Sequence, residues 1–429
     1  MLDIEMVRKN PEKIKQNLKK RKEYEKLEDL EELREKDSEW RNKKREVDEL
    51  RHQRNKLSQK IGEKKKEGKD AEEEINKSKR ISEEIDKINS KMEELREYID
   101  SKLMDMPNIL HESVPQGETD EENEELYRVG NPKTPSYDLK PHSSLIEDLG
   151  LGDFERASRV AGHGFFYLKD DLVHLDFAII NYAVEKLREK GFTPIEPPAM
   201  LKRDPYEGTV DLSDFEEVMY KIEDEDLYLI ATSEHPIAAM FMDEIFEEDE
   251  LPKKFVGVSP CFRREVGSHG IDTKGLFRVH QFNKVEQFVF SKPENSWDHH
   301  EELLENAEEL MKDLEIPYRV VNVCTGDIGT VAAKKYDIEA WSPRQNEYIE
   351  VISCSNCTDY QARRLNIRMG KIGSGEKRTI HTLNSTALAT SRTIVSILEN
   401  NQTEDGKVEI PHKLRKFIGN KKYLEPKKE

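Results

Sequence analysis

The first 105 residues of this chain contain only two glycines, Gly62 and Gly68, and one proline, Pro11. Both residue types interrupt regular helix, so their scarcity argues against a turn-rich fold there and leaves room for long helices. Four cysteines among 429 residues do not make a disulfide framework, so buried or inert thiols in a reducing setting are expected. No run of 18 apolar residues exists, which excludes a membrane-spanning helix. The opening residues, MLDIEMVRKNPEKIKQ, lack the apolar stretch of a secretory signal, and a cytoplasmic location is expected. GxGxxG and GxxxxGK(S/T) are both missing, and no regular βαβ spacing is visible. A doubly wound nucleotide fold is therefore not expected.

What is present is charge. Asp, Glu, Lys and Arg make up 37% of the chain, and the mean hydropathy is -0.86. The length calls for two domains. A net charge of -19 argues against a nucleic-acid partner only until its placement is read. The first hundred residues carry 29 basic and 28 acidic side chains, and residues 41–70 hold 12 Lys/Arg against 6 Asp/Glu. The acidic excess lies downstream, and a basic surface survives within an acidic protein.

Apolar residues at Ile81, Ile85, Ile88, Met92, Leu95 and Ile99 follow an a/d heptad seam. A second stripe runs through Leu33, Trp40, Val47, Leu50, Leu57 and Ile61, interrupted by Arg54. Between them, GEKKKEG at 62–68 reads as a turn bracketed by its glycines. Residues 1–105 are thus expected to form an antiparallel coiled-coil hairpin, with an arm of roughly 50 Å at 1.5 Å per residue. Arg41, Lys43–Arg45, Arg51, Arg54, Lys56, Lys60 and Lys64–Lys66 concentrate positive charge toward its tip. Such charge serves either a solvated helix face or contact with phosphates.

From residue 106 to 429 the pattern is globular. Strand-like runs at Leu227–Ile230, Lys254–Val258, Lys284–Phe290, Tyr318–Val323 and Tyr348–Ile352 alternate with helical segments at Leu172–Lys190 and His299–Leu314. An antiparallel sheet flanked by helices, of α+β class, is expected.

Four segments of this half carry candidate chemistry. The first is GFTPIEPP at 191–198, a helix end followed by an extended run and a proline pair. Next, Cys261-Phe262-Arg263-Arg264-Glu265 precedes a loop and then Gly275–Glu286; Arg263 and Arg278 on adjacent strands are placed to grip a polyphosphate, with Phe282 available to stack on a purine. In the third, Glu350-Val351-Ile352-Ser353 sets a carboxylate and a hydroxyl three residues apart, a spacing that can share a magnesium ion. The Cys354-x-x-Cys357 pair beside it lacks the second ligand pair of a zinc site. Last, Thr382–Arg392 opens a helix running to about Glu399, with Arg392 facing back toward the site.

The order of these segments (a proline-ended stretch, FRxE with HQFxKVE, ExxSxSN, then NxTxLAxxR) resembles the signature set of class II aminoacyl-tRNA synthetases. Over nearly its whole length the chain resembles the seryl-tRNA synthetase family, to which Thr232-Ser233-Glu234, Asp272–Leu276, SNCTDYQARR at 355–364 and the helical hairpin also correspond. That resemblance implies ATP bent over an antiparallel sheet. Arg263 would lie at the α-phosphate, with Arg264 also among the nucleotide-binding residues, Glu265 and Val279 at adenine, and Phe282 and Arg392 around the ring and outer phosphates. Arg278 would add to the phosphate grip, and Glu350, Val351, Ile352 and Ser353 would hold nucleotide and Mg2+. It further implies L-serine bound by Thr232, Ser233, Glu234, Arg263, Glu286, Asn384 and Thr386. Its partners would be tRNA(Ser) on the arm, tRNA(Sec) where present, and a second subunit meeting the first near Pro197-Pro198. His269 and Ile271 in the loop, and Ser385, depart from the family pattern. Two other readings remain: a ligase that loads a carrier protein from the same core, and a coiled-coil scaffold with an inactive core.

Overall fold

The computed structural model describes the chain apart from residues 134, 211–216, 266–274, 372–374 and 427–429. Part of the Asp272–Leu276 run, and both His269 and Ile271, lie outside the described residues. Two compact units are present, Met1–Ile109 and Leu110–Glu429.

The first unit holds helices α1 (Ile4–Lys9), α2 (Pro11–Arg21), α3 (Lys26–Lys66) and α4 (Glu72–Asp105). The Asp3 side chain caps α1 by accepting from the Glu5 amide at 2.8 Å, and Pro11 opens α2, where a missing N–H costs nothing. Leu30 and Leu33 of α3 pack with Ile99 and Leu103 of α4, and Val7, Ile14 and Leu18 of the short helices close the base of this core. Sequence periodicity does not reveal α1 and α2, which are too short to show a repeat. The expected turn at 62–68 is also corrected: α3 continues through Gly62 to Lys66. The reversal falls at residues 67–71, where Gly68 takes φ +70. No heavy atom would lie within 4 Å of a Cβ at Gly62, so that glycine is a tolerated helical residue and not a hinge.

Burial fades along the hairpin. Ile85, Leu95 and Ile99 are buried, while Ile81, Ile88 and Met92 of the same seam are half-covered, as expected where two helices have no third to pack on. Near the base, buried Asp37 accepts from Arg8 at 2.6 and 2.9 Å and from Arg41 at 2.9 Å. Toward the tip, Lys43, Arg54, Lys56, Lys60, Lys65 and Lys66 form no ion pair among the described residues.

The second unit is built on a sheet of strands β1 (Glu124–Val129), β2 (Thr193–Ile195), β3 (Lys253–Phe262), β4 (Gln281–Ser291), β5 (Tyr318–Asn322), β6 (Lys334–Ser342), β7 (Glu347–Asn356) and β8 (His381–Ala389). Their order is β1-β5-β6-β7-β8-β4-β3-β2, antiparallel throughout except for the β2–β3 edge pair, which is parallel. The expected antiparallel sheet is present, and the GFTPIEPP segment supplies its edge strand β2. Helices α5 (His142–Asp148), α6 (Asp171–Glu189), α7 (Ser296–Asp313) and α8 (Thr390–Asn401) contribute to the core on one face.

Strand alternation sorts the two faces. On β4, Val285 and Val289 enter the helix-covered core, and Gln287 between them donates to the Leu303 carbonyl of α7 at 3.1 Å. Phe282, Lys284 and Glu286 alternate with these and face the other way. Two bulges alter this order. Ile338 sits opposite Ile352 and Glu339 opposite Glu350, leaving Val351 as an extra residue on β7. Thr386 sits opposite Glu286 and Leu388 opposite Val285, leaving Ala387 extra on β8.

Truncating Ile99→Ala opens a cavity in the helical core and should destabilise that unit by about 2–5 kcal/mol. Hydrogen exchange of α4 amides in the full chain reads this directly, and unchanged protection would show that the core tolerates the loss.

Candidate active site

The polar face of the sheet encloses an inner cavity of about 230 Å³, lined by Thr232, Glu234, Arg263, Glu265, Val279, Phe282, Lys284, Glu286, Glu350, Val351, Ser353, Asn384, Thr386 and Arg392, among others. Through Glu265, Phe277, Glu350 and Arg392 it shares walls with an outer cleft of about 750 Å³, whose lining adds Arg278, Arg319, Asp337 and Glu339. Arg263, Glu350 and Arg392, distant in sequence, therefore meet around one space.

A bulge makes that meeting possible. In a regular strand residues i and i+3 point to opposite faces, so Glu350 and Ser353 could not share a ligand. The extra residue Val351 restores them to the same face, and the Ser353 hydroxyl donates to Glu350 Oε1 at 3.0 Å. Arg392, in the first turn of α8, donates to the Glu350 carbonyl at 2.7 Å and lies 3.4 Å from its carboxylate. Burial pushes the Glu350 carboxyl upward, but Arg392, Lys335 and the Ser353 hydroxyl together hold it below the usual carboxylate range. Phe277 lies beneath the Arg392 guanidinium at 5.1 Å, and Phe282 beneath Arg263 at 5.4 Å. Two cation–aromatic walls thus flank an opening of a kind that takes a planar ring and a polyphosphate.

The deeper end holds paired acids. Glu286 is buried, its Oε2 2.6 Å from Lys284 Nζ and 3.3 Å from the Thr386 hydroxyl. Glu234 Oε1 accepts from Gln361 at 2.9 Å and from Asn384 at 3.1 Å. Burial, then the charge of Glu286, raises the Glu234 carboxyl to about 7. Burial is again the first cause at Asp337, which rises to about 7 beside Lys335 and Glu350. His235, a buried residue of the cavity lining, is pressed down to about 3 by desolvation and stays neutral, its Nδ1 3.1 Å from the Tyr206 hydroxyl.

Some of the residues expected from the sequence stand elsewhere. Ser233 is buried behind the cavity wall, against Gly257, with no hydrogen-bond partner for its hydroxyl among the described residues, and the Ile352 side chain lies in the core on the opposite sheet face. Arg264 is exposed and lines neither cavity; its amide donates to the Val218 carbonyl. Arg263 and Arg278 are not on adjacent strands: β3 ends at Phe262 and β4 begins at Gln281, so both lie in the connection, and Arg278 reaches only the outer cleft. Cys354 and Cys357 are buried thiols raised by desolvation, and among the described residues no group of three or more His, Cys, Asp or Glu is arranged to hold a metal.

Lys284, Phe277, Asp337 and Gln361 join the site without a role expected from the sequence. The i±2 spacing of Lys284 between Phe282 and Glu286 was the available signal. Asp337 and Gln361 become neighbours of the site only through strand pairing and a long-range hydrogen bond.

An antiparallel sheet with two cation–aromatic walls and a bulged carboxylate–hydroxyl pair defines the catalytic core of a class II aminoacyl-tRNA synthetase. Residues 219–401 match the family described as the tRNA synthetase class II core domain (G, H, P, S and T), and residues 1–110 match the seryl-tRNA synthetase N-terminal domain. Named relatives narrow the class. The serine–tRNA ligase of Methanoregula boonei is 55% identical over 99% of this chain and 100% of its own length, and that of Pyrococcus horikoshii is 50% identical over 99% and 98%. The crystal structure of the P. horikoshii seryl-tRNA synthetase complexed with ATP superposes with a TM-score of 0.95 at 50% identity, covering 100% of both chains. That of the cytoplasmic serine–tRNA ligase of Naegleria fowleri in complex with AMP gives 0.90 at 35% identity, over 100% and 99%. The chain belongs to the seryl-tRNA synthetase family.

Were a substrate ammonium to dock on Glu234, it would prefer the ionised carboxylate. Below pH 7 a proton competes for that carboxylate, so affinity falls as pH drops and is full above it. KM for the amino acid should rise about tenfold from pH 8 to pH 6 while KM for ATP stays level. A flat amino-acid profile would exclude Glu234 as the partner of the ammonium.

Proposed function

We propose that the chain activates L-serine with ATP to seryl-adenylate, releasing pyrophosphate, and transfers the seryl group to the 3′ end of tRNA(Ser). The observation that carries the reading is the convergence of Arg263, Glu350 and Arg392 with the buried acids Glu234 and Glu286 at one cavity.

Glu234 and Glu286 take the serine ammonium and hydroxyl, with Thr232, Asn384 and Thr386 completing the polar lining. A site built around a hydroxyl rejects alanine, because its own polar groups would be stranded. The serine carboxylate attacks the α-phosphorus in line. Arg263 faces the charge that builds on the α-phosphoryl oxygens, and Arg392 meets the outer phosphates. No protein nucleophile takes part, so positioning and preorganised charge supply the rate.

Glu350 and Ser353 fit a magnesium ion: both offer hard oxygen donors from one face, and the Glu350 carboxyl is held in its charged form. When bound there, Mg2+ would neutralise phosphate charge and fix the bend of the nucleotide. Glu350→Gln should raise the Mg2+ concentration needed for half-maximal exchange by about tenfold or more, since a charged ligand is lost. An unchanged requirement would remove Glu350 from the metal.

The arm takes the tRNA backbone, reading shape more than sequence, and the tip cations that form no ion pair among the described residues support this. The same shape reading extends to tRNA(Sec). Exposed Val160, Tyr167, Phe177 and Met200 support a homodimer in which the edge near Pro197-Pro198 meets its copy. No helix among the described residues is long and apolar enough to cross a membrane, consistent with a cytoplasmic enzyme.

Serine-dependent exchange of pyrophosphate into ATP, then charging of tRNA transcripts, tests activation and transfer in turn. Exchange without charging would favour loading of a carrier protein; no exchange would favour an inactive scaffold. Replacing the Lys and Arg residues of 41–66 by Gln should weaken charging and flatten its salt dependence while leaving exchange intact. Charging that survives at every salt concentration would dismiss the arm as the grip.

A further inference from the structure

His142 is the first residue of α5 and is fully buried. Its Nε2 accepts from the Leu276 amide at 3.1 Å, so that nitrogen carries a lone pair, and Nδ1–H donates to Glu399 Oε1 at 3.1 Å. Gly275, at φ +132, lies so close that a Cβ there would sit 2.1 Å from Nε2. Glu399 also accepts from Ser342 at 3.0 Å and from Arg344 at 3.2 Å, which ties the β6–β7 hairpin into the same knot. The chain just before α5 is strapped to the end of α8 by Gln402, which accepts from the Lys140 amide at 2.9 Å and donates to the Lys140 carbonyl at 3.1 Å.

Both ends of this contact lead to the nucleotide walls. One residue beyond Leu276 stands Phe277; seven residues before Glu399, on the same helix, stands Arg392, and the two meet at 5.1 Å. The imidazole fixes the spacing between the backbone that delivers Phe277 and the helix that delivers Arg392. No part of His142 lines either cavity.

We propose that His142 is a positioning residue for ATP, acting through its bond to the Leu276 amide to hold Phe277 and Arg278 in register with Arg392. This rests on the proposed function, since it assigns the Phe277–Arg392 wall to the nucleotide. The amino-acid end, built from Glu234, Glu286 and Thr386, is not attached to this knot, and the effect is confined to ATP.

Two near-isosteres separate the bonds. His142→Asn keeps a donor at the δ position for Glu399 and loses the acceptor for Leu276. His142→Gln keeps an acceptor at the ε position for Leu276 and loses the donor for Glu399. In pyrophosphate exchange, H142N should raise KM for ATP about tenfold with KM for serine within about twofold, because small misplacement of a binding group carries costs of that order. H142Q should stay within about threefold of the parent. Gly275→Ala displaces the ring from the other side and should reproduce the H142N pattern, which keeps the test open should H142N fold poorly. Equal rises in both KM values, or losses in H142N and H142Q that simply track their melting temperatures, would overturn the proposal. Direct calorimetric titration with ATP separates the two readings: a parent enzyme without exchange overturns the function, whereas equal ATP affinity in parent and H142N overturns the role of His142.

Discussion

The grip of Arg392 on Glu350 is the constraint around which the second unit is arranged. One guanidinium meets both the carbonyl and the carboxylate of the same residue, so a helix start and a strand are locked together at the point where their charges are used. The lock requires the bulge at Val351, because without the extra residue Glu350 would turn into the helix-covered core. A carboxylate in that core would lose its solvation and gain no cation. The bulge is thus a chemical device, which aims two oxygens and one guanidinium at a shared space.

The same logic explains why the two acids of the deep end have different partners. Glu286 has Lys284 against it and remains an ion pair with both partners buried. Glu234 has amide donors, from Gln361 and Asn384, and both go to one oxygen. Amides bring no full positive charge, which is why burial and the charge of Glu286 raise Glu234 while Glu286 keeps its cation. In the proposed function, the ammonium of the amino acid supplies a full positive charge that the amides do not. On the proposed reading, the complement of this end is a small ammonium that also carries a hydroxyl.

Legibility in the sequence depends on locality. The coiled-coil hairpin, the main strands and the long helices are readable because heptad spacing and period-2 alternation are local signals, and Arg263, Glu350 and Arg392 are readable through motifs that keep their own spacing. The turn is misplaced by sequence because glycine permits a break without enforcing one; α3 runs through Gly62 and reverses at Gly68, where a positive φ is needed. Ser233 and Ile352 enter the expected site by proximity along the chain, but neighbours in a motif alternate in direction, and one member of each pair faces the wall or the core. Asp337 and Gln361 escape notice for the opposite reason: register on β6 and a contact with a residue 127 positions away bring them in.

Local motifs and long-range bonds act together most clearly at a buried histidine. His142 has no motif and lines neither cavity described, yet it bridges two segments that each carry half of the Phe277–Arg392 wall. Cation–aromatic contacts such as Phe277 beneath Arg392 are individually weak and depend on separation. They acquire fixed geometry only when the backbones beneath them are tied by directional bonds in a dry interior, where a donor left without its acceptor is costly. On the proposed reading the inner network makes the outer wall a preformed surface, and the nucleotide contacts proposed for Phe277 and Arg392 depend on a side chain that lines neither cavity.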